Sequence, residues 1–187
     1  MLLIFLSACL KQRDLTPSMS VKEKNSTIRE NEKTDPRGVL KINEIMARGS
    51  GFFNELIHKT STRSGCDWVE LYNTGGDTLL LEKGKWFITE SVGDNKKFEI
   101  PAVKILPYGH LILWCDGMDT TVSQIHTNFS LSKDGENLWL FYQADAGLVV
   151  VDHLSFSYQE SNTSIGRKPD GSEKWITFSR PSPGRVN

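Results

Sequence analysis

From residue 40 to residue 187, short runs of β-branched, aromatic and aliphatic residues are broken by clusters of Gly, Pro, Asp and Asn. That rhythm predicts about eight to ten strands of an all-β sandwich or barrel rather than βαβ units. The runs are 40–47, 67–73, 79–81, 86–89, 97–100, 110–114, 138–142, 148–156 and 174–178. Within 67–73, Val69 and Leu71 fall on one face and Trp68, Glu70 and Tyr72 on the other, so both faces are expected to be partly covered. Residues 143–147 have the length and Asp/Gly chemistry of a hairpin connection, and Asp134-Gly135 and Asp170-Gly171 mark two further turns. The connection 48–66 is different: Phe52, Phe53, Leu56 and Ile57 recur at helical spacing. They predict about two turns of amphipathic helix, either plugging an end of the sandwich or forming an exposed contact loop.

Ahead of the strands the pattern changes twice. Residues 1–8 are an apolar run ending in Ser7-Ala8, followed by Cys9, and read as a signal peptide too short to span a bilayer. Leu6-Ser7-Ala8-Cys9 resembles the bacterial lipoprotein lipobox, although no Lys or Arg precedes the apolar run. The resemblance implies cleavage before Cys9 and acyl chains such as palmitate on its thiol and new amino group. Two or more chains give stable membrane anchoring where one is marginal. Residues 9–38 then form a polar stretch with too little apolar surface to offset its ordering entropy. It is expected to act as a flexible tether with a reach on the order of 30 Å. The expected organisation is a signal peptide over 1–8, a lipid-anchored tether over 9–38 and one domain over 39–187.

Composition narrows the class. A chain of 187 residues, 38% hydrophobic, with five Trp and nine Phe, has enough apolar surface for one core. Residues 10–38 carry seven Lys/Arg against five Asp/Glu, which leaves fifteen against eighteen in the rest of the chain. A domain near −3 without a basic stripe argues against nucleic acid as a partner.

The order of motifs then becomes recognisable. Asn43-Glu44-Ile45 followed by Trp68-Val69-Glu70-Leu71-Tyr72-Asn73, the Trp86-Phe87-Ile88 run, Leu106-Pro107-Tyr108-Gly109, and 126–136 (HTNFSLSKDGE) together resemble bacterial lamin tail domains. The endings Gly166-Arg167, Pro169-Asp170-Gly171 and Pro181-Ser182-Pro183-Gly184 are similar to that family's C-terminal signature. The resemblance covers about the whole of residues 39–187 and implies an immunoglobulin-like β-sandwich. It also implies an interaction or structural module, in bacteria mainly a surface or secreted accessory module often attached to enzymes whose catalytic domain is elsewhere.

Catalytic apparatus is not visible. His58, His110, His126 and His153 lack metal-ligand spacing, and no Gly-x-Ser-x-Gly, phosphate loop or Cys-x-x-Cys occurs. Glu44, Asp67 and Glu70 converge if the first two strands pair, as a site for a hard cation or as buried acids bonded to amides. Simple alternation places Glu44 with Leu40, Ile42 and Met46. Cys66 and Cys115 are either a disulfide of an oxidising compartment or separate thiols, with Cys115 in the core. The five Trp sit in strand-like runs, so most are expected in the core, and a sugar-binding surface requires an outward pair.

The expectation is therefore a non-enzymatic interaction module without cofactor or bound metal. It would be anchored in the bacterial cell envelope at the inner or outer membrane, with an envelope or surface protein as partner. The alternatives are a carbohydrate-binding surface module, or an accessory to a metal-dependent nuclease or hydrolase.

Overall fold

Pairing of the alternating runs builds two main sheets around one apolar core. The computed structural model describes residues 36–47, 67–118, 120 and 124–187, so the signal peptide, Cys9, most of the tether, the 48–66 connection with Phe52, Phe53, Leu56 and Ile57, His58 and Cys66 lie outside the described residues. Among the described residues, one 3-10 turn, Pro36–Gly38, precedes twelve strands. They are β1 (Leu40–Met46), β2 (Asp67–Asn73), β3 (Leu79–Leu81), β4 (Trp86–Thr89), β5 (Phe98–Glu99), β6 (Val103–Ile105), β7 (His110–Cys115), β8 (Ile125–His126), β9 (Gly135–Ala144), β10 (Gly147–Ser157), β11 (Ser164–Arg167) and β12 (Trp175–Phe178). One sheet runs β12-β11-β1-β2-β7-β8 and the other β10-β9-β4-β5, with β3-β6 as a small third pair.

Three strands exceed the sequence expectation. β6, β8 and β11 are two to four residues long and too short to show alternation. The β9–β10 hairpin is tighter than expected: Ala144 pairs with Gly147, so the strands extend into the connection and leave only Asp145-Ala146 at the tip.

The core takes Leu40, Ile42, Ile45, Val69, Leu71 and Leu113 from the six-stranded sheet and Trp86, Ile88, Leu138, Leu140, Leu154 and Phe156 from the four-stranded sheet. Side chains of both sheets forming one cluster make the fold an all-β sandwich. Each such residue contributes roughly 1.5–3 kcal/mol by leaving water. A smaller apolar cluster of Met46, Trp68 and Trp114, joined by Ile112, lies on the opposite, outer face of the six-stranded sheet.

The feature that shapes the site is a bulge in β1. Ile42 pairs with Leu71 and Glu44 with Glu70, so two residues of β1 span one step of β2 and Asn43 is the extra one. The bulge reverses the alternation: Leu40 and Ile42 face the core, and Ile45 still does, while Glu44 joins Met46 on the outer face. The face expected for Glu44 from simple alternation is thereby corrected, because an inserted residue resets a period of two.

Ile42 lies beyond the two-residue pairing of β1 with β11, which involves only Glu44 and Ile45. Its backbone groups are taken by side chains instead. The Ile42 N–H donates to Asp152 Oδ2 at 2.8 Å, and the Ile42 carbonyl accepts from Arg167 Nε at 2.8 Å. Arg167 Nη2 lies 3.1 Å from both Asp152 oxygens, with the guanidinium over the Trp175 ring at 4.6 Å. Asp152 reaches this position beside a second bulge, between Val150 and Asp152 in β10.

Both members of the pair are more than nine-tenths buried. Asp152→Ala is therefore expected to destabilise the domain by about 3–5 kcal/mol, because the buried guanidinium keeps only the exposed Glu173 as a carboxylate partner and the Ile42 N–H is left unpaired. Urea denaturation measures it; a loss under about 1 kcal/mol, the range of exposed pairs, would contradict the bridge's structural role.

Candidate functional site

Three rows of side chains cross the outer face of the six-stranded sheet. Lys41, Tyr72 and His110 are in register at one end, Glu44, Glu70 and Ile112 in the middle, and Met46, Trp68 and Trp114 at the other end. The middle row is the unusual one, since Glu44 and Glu70 are both fully buried and sit opposite each other on neighbouring strands. Buried carboxyl groups need donors.

The donors come from the bulge and from the chain's last segment. Asn43 Nδ2 donates to Glu70 Oε1 at 2.8 Å and to Asp170 Oδ1 at 2.9 Å, and Asn43 Oδ1 accepts the Gly171 N–H at 3.0 Å. Both amide hydrogens of the bulge residue are thus used. The Gly184 N–H donates to Glu70 Oε2 at 2.6 Å. Glu44 Oε1 accepts from the Ser164 hydroxyl and from the Ser182 N–H at 3.1 Å, and Ser182 Oγ lies 2.9 Å from Glu44 Oε2. Asn187 closes the set, its N–H reaching Asp170 Oδ1 at 3.2 Å and its Nδ2 the Arg167 carbonyl at 2.9 Å. Gly166, opposite Glu44, admits this packing: a Cβ there would come within 2.9 Å of Glu44 Cγ and 3.0 Å of Asn187 Nδ2.

Charge is poorly balanced in this cluster. His110 Nε2 stands 3.3 Å from Asp170 Oδ2 and 3.9 Å from Glu70 Oε1, while its ring packs on Tyr72. Among the described residues no Lys or Arg lies within ion-pair distance of Glu44, Glu70 or Asp170. Burial pushes the Glu70 carboxyl up to about 8, against the hydrogen bonds from Asn43 and Gly184 and helped by the charges of Glu44 and Asp170. Burial also raises Glu44, against the Ser164 and Ser182 bonds. These oxygens hold strands, a turn and the final segment together, which is clamp chemistry.

Asp67 does not join them. Three residues from Glu70, it faces the other side of β2, and its Oδ2 accepts the Leu131 N–H at 3.0 Å. The cluster instead recruits Asn43, Asp170, Ser164, Ser182 and Asn187. The signals present were the Asp170-Gly171 turn and the Pro181-to-Gly184 motif, neither of which reveals contacts across more than a hundred residues. Among the described residues no group of three or more His, Cys, Asp and Glu side chains is placed to hold a metal ion.

A second pairing lies at the β7–β8 end. His126, almost wholly buried, places Nδ1 3.0 Å from both Asp116 oxygens. The neighbouring thiol is no nucleophile: Cys115 is a free cysteine in the main core, and burial raises it well above the usual thiol range. Cys66, its suggested disulfide partner, is outside the described residues.

Among the tryptophans, Trp68, Trp86 and Trp114 are buried, whereas Trp139 and Trp175 are partly exposed. Trp175 lies against Arg167, and Trp139 stacks on the exposed His153 at 5.1 Å. Compared with known proteins, the chain matches no family model and no curated protein.

The raised carboxyls fix a pH dependence. Glu70 holds its proton up to about 8 when folded and to about 4.5 when unfolded, so between those values the folded chain binds more protons. This stabilisation is complete below about pH 4.5 and is lost as pH rises through about 8, at up to about 1.4 kcal/mol per pH unit. Glu44 and Glu136 shift in the same direction. Urea midpoints measured across that window should fall with rising pH; midpoints that hold or rise would refute the assignment.

Proposed function

We propose that this protein is a non-catalytic interaction module of the bacterial cell envelope. It is anchored by lipid at Cys9 and carries an immunoglobulin-like sandwich of the lamin tail kind on a polar tether. Its ligand in this reading is another envelope or surface protein.

The observation that carries the anchoring is the order at the N-terminus: an apolar run, Ser7-Ala8, Cys9, and then a long polar stretch before the first strand. Support for a binding role comes from the spending of polar groups inside the domain. Glu44, Glu70, Asp170, Asp152 and Arg167 direct their polar atoms at backbone groups and neighbouring side chains of the fold itself. Side chains committed in this way are not poised for acid, base or nucleophilic work. Loops and sheet edges are then the surfaces left for recognition.

A second reading, carbohydrate binding, draws on Trp139, whose partly exposed ring lies beside exposed His153 on the outer face of the four-stranded sheet. Stacking on a sugar would make Trp139→Ala abolish retention on a glycan matrix, while protein binding elsewhere would not respond.

Intact-mass spectrometry of the protein from a native bacterial membrane fraction tests the anchor. A mass matching a chain that begins at Cys9 with acyl groups is expected. A soluble protein that keeps Met1 would remove the lipid and, with it, the case for an envelope partner.

A further inference from the structure

The final segment, residues 181–187, lies across the outer face of the six-stranded sheet and is tied down at three points. Its Ser182 N–H meets Glu44, its Gly184 N–H meets Glu70, and its Asn187 N–H meets Asp170. These three backbone ties all end on carboxyl groups, which is unusual for a surface strap and makes their hold depend on protons; a fourth tie runs from Asn187 Nδ2 to the Arg167 carbonyl.

The hydrogen count at Ser182 sharpens this. Ser182 Oγ is 2.9 Å from Glu44 Oε2 and 2.6 Å from Asn187 Oδ1. Asn187 is oriented by its Nδ2 donating to the Arg167 carbonyl, so its Oδ1 can only accept. One hydroxyl hydrogen cannot serve two acceptors. The chain closes when Glu44 Oε2 carries a hydrogen and donates to Ser182 Oγ, which in turn donates to Asn187 Oδ1. Glu44 Oε1 stays free to accept from Ser164 and the Ser182 N–H.

We propose that residues 181–187 form a proton-locked strap, closed over the sheet while Glu44 carries a proton and released when that proton is lost. The proposal is independent of the anchoring and binding reading. The groups facing the switch are Glu44 from β1, Glu70 from β2, Tyr72 beside it, His110 from β7 and Asp170 from the β11–β12 turn. On the strap itself Arg185 is exposed, and the Arg167 guanidinium is engaged by Asp152 and the exposed Glu173. Ionisation of Glu44 therefore adds negative charge to a buried cluster in which, among the described residues, no Lys or Arg lies within ion-pair distance. The upward displacement of Glu44 and Glu70 by burial puts the release on the alkaline side of the ordinary carboxyl range. Opening would uncover both carboxyls and free a Pro-containing segment that carries Arg185.

Hydrogen exchange of the full chain tests the strap, with each amide's protection referred to its intrinsic rate at the same pH. As pH rises from about 4.5 through about 8, the Ser182 and Gly184 amides should lose about ten-fold or more in protection, while central amides of β2 hold theirs. Glu44→Gln supplies the closed arrangement permanently, since its Nε2 donates to Ser182 Oγ and its Oε1 accepts as before. In that variant Ser182 should stay protected across the range, and Ser182→Ala should leave the strap open throughout. Protection in the wild-type chain that does not change with pH overturns the proposal without reference to any variant. A Glu44→Gln profile that follows the wild-type loss at Ser182 overturns it as well.

Discussion

One inserted residue, Asn43, governs the architecture around the polar cluster. By adding a residue to β1 opposite β2, it turns Glu44 out of the core and sets it against Glu70. It also leaves Ile42's backbone N–H and carbonyl to be met by Asp152 and Arg167, which joins β1 to β10 and β11. Its own side chain then bridges Glu70, Asp170 and the Gly171 amide. Removing the bulge would undo all three arrangements, because each depends on the same change of phase and the same freed backbone groups.

The cost of burying acids is met in two ways. At Arg167 a guanidinium pairs with Asp152 and stacks on Trp175. At Glu44 and Glu70 the structure offers amides and hydroxyls, with no Lys or Arg at ion-pair distance among the described residues, and burial then favours the protonated forms. Strand β1 is thus held by a guanidinium–carboxylate bridge at Ile42 and by a pH-sensitive clamp at Glu44.

The strands were legible where the period of two is unbroken. Runs such as 67–73, 79–81 and 86–89 appear with their expected bounds, since alternation and flanking turn residues are local signals. The pairing of Glu44 with Glu70 was also visible, as two acids on strands that would meet. What could not be read was the face, because nothing in Ile42-Asn43-Glu44 distinguishes a bulge from regular pleating. Asp170, Ser182 and Asn187 were equally hidden, the β1 partners of Asp170 and Ser182 lying more than a hundred positions away. Sequence spacing carries no information about such contacts until the topology is known. The lone β8 pairing, parallel and two residues long, falls under the same limit.

The account rests on the buried carboxyls of Glu44 and Glu70 being held protonated above the ordinary range. The most direct measurement is a site-assigned carbon NMR titration of the two side-chain carboxyls in the folded protein. Glu70 is predicted to titrate near about 8, with Glu44 also displaced upward from 4.5. Midpoints for both at or below 4.5 would contradict the account and make the clamp a set of ordinary ionised acceptors.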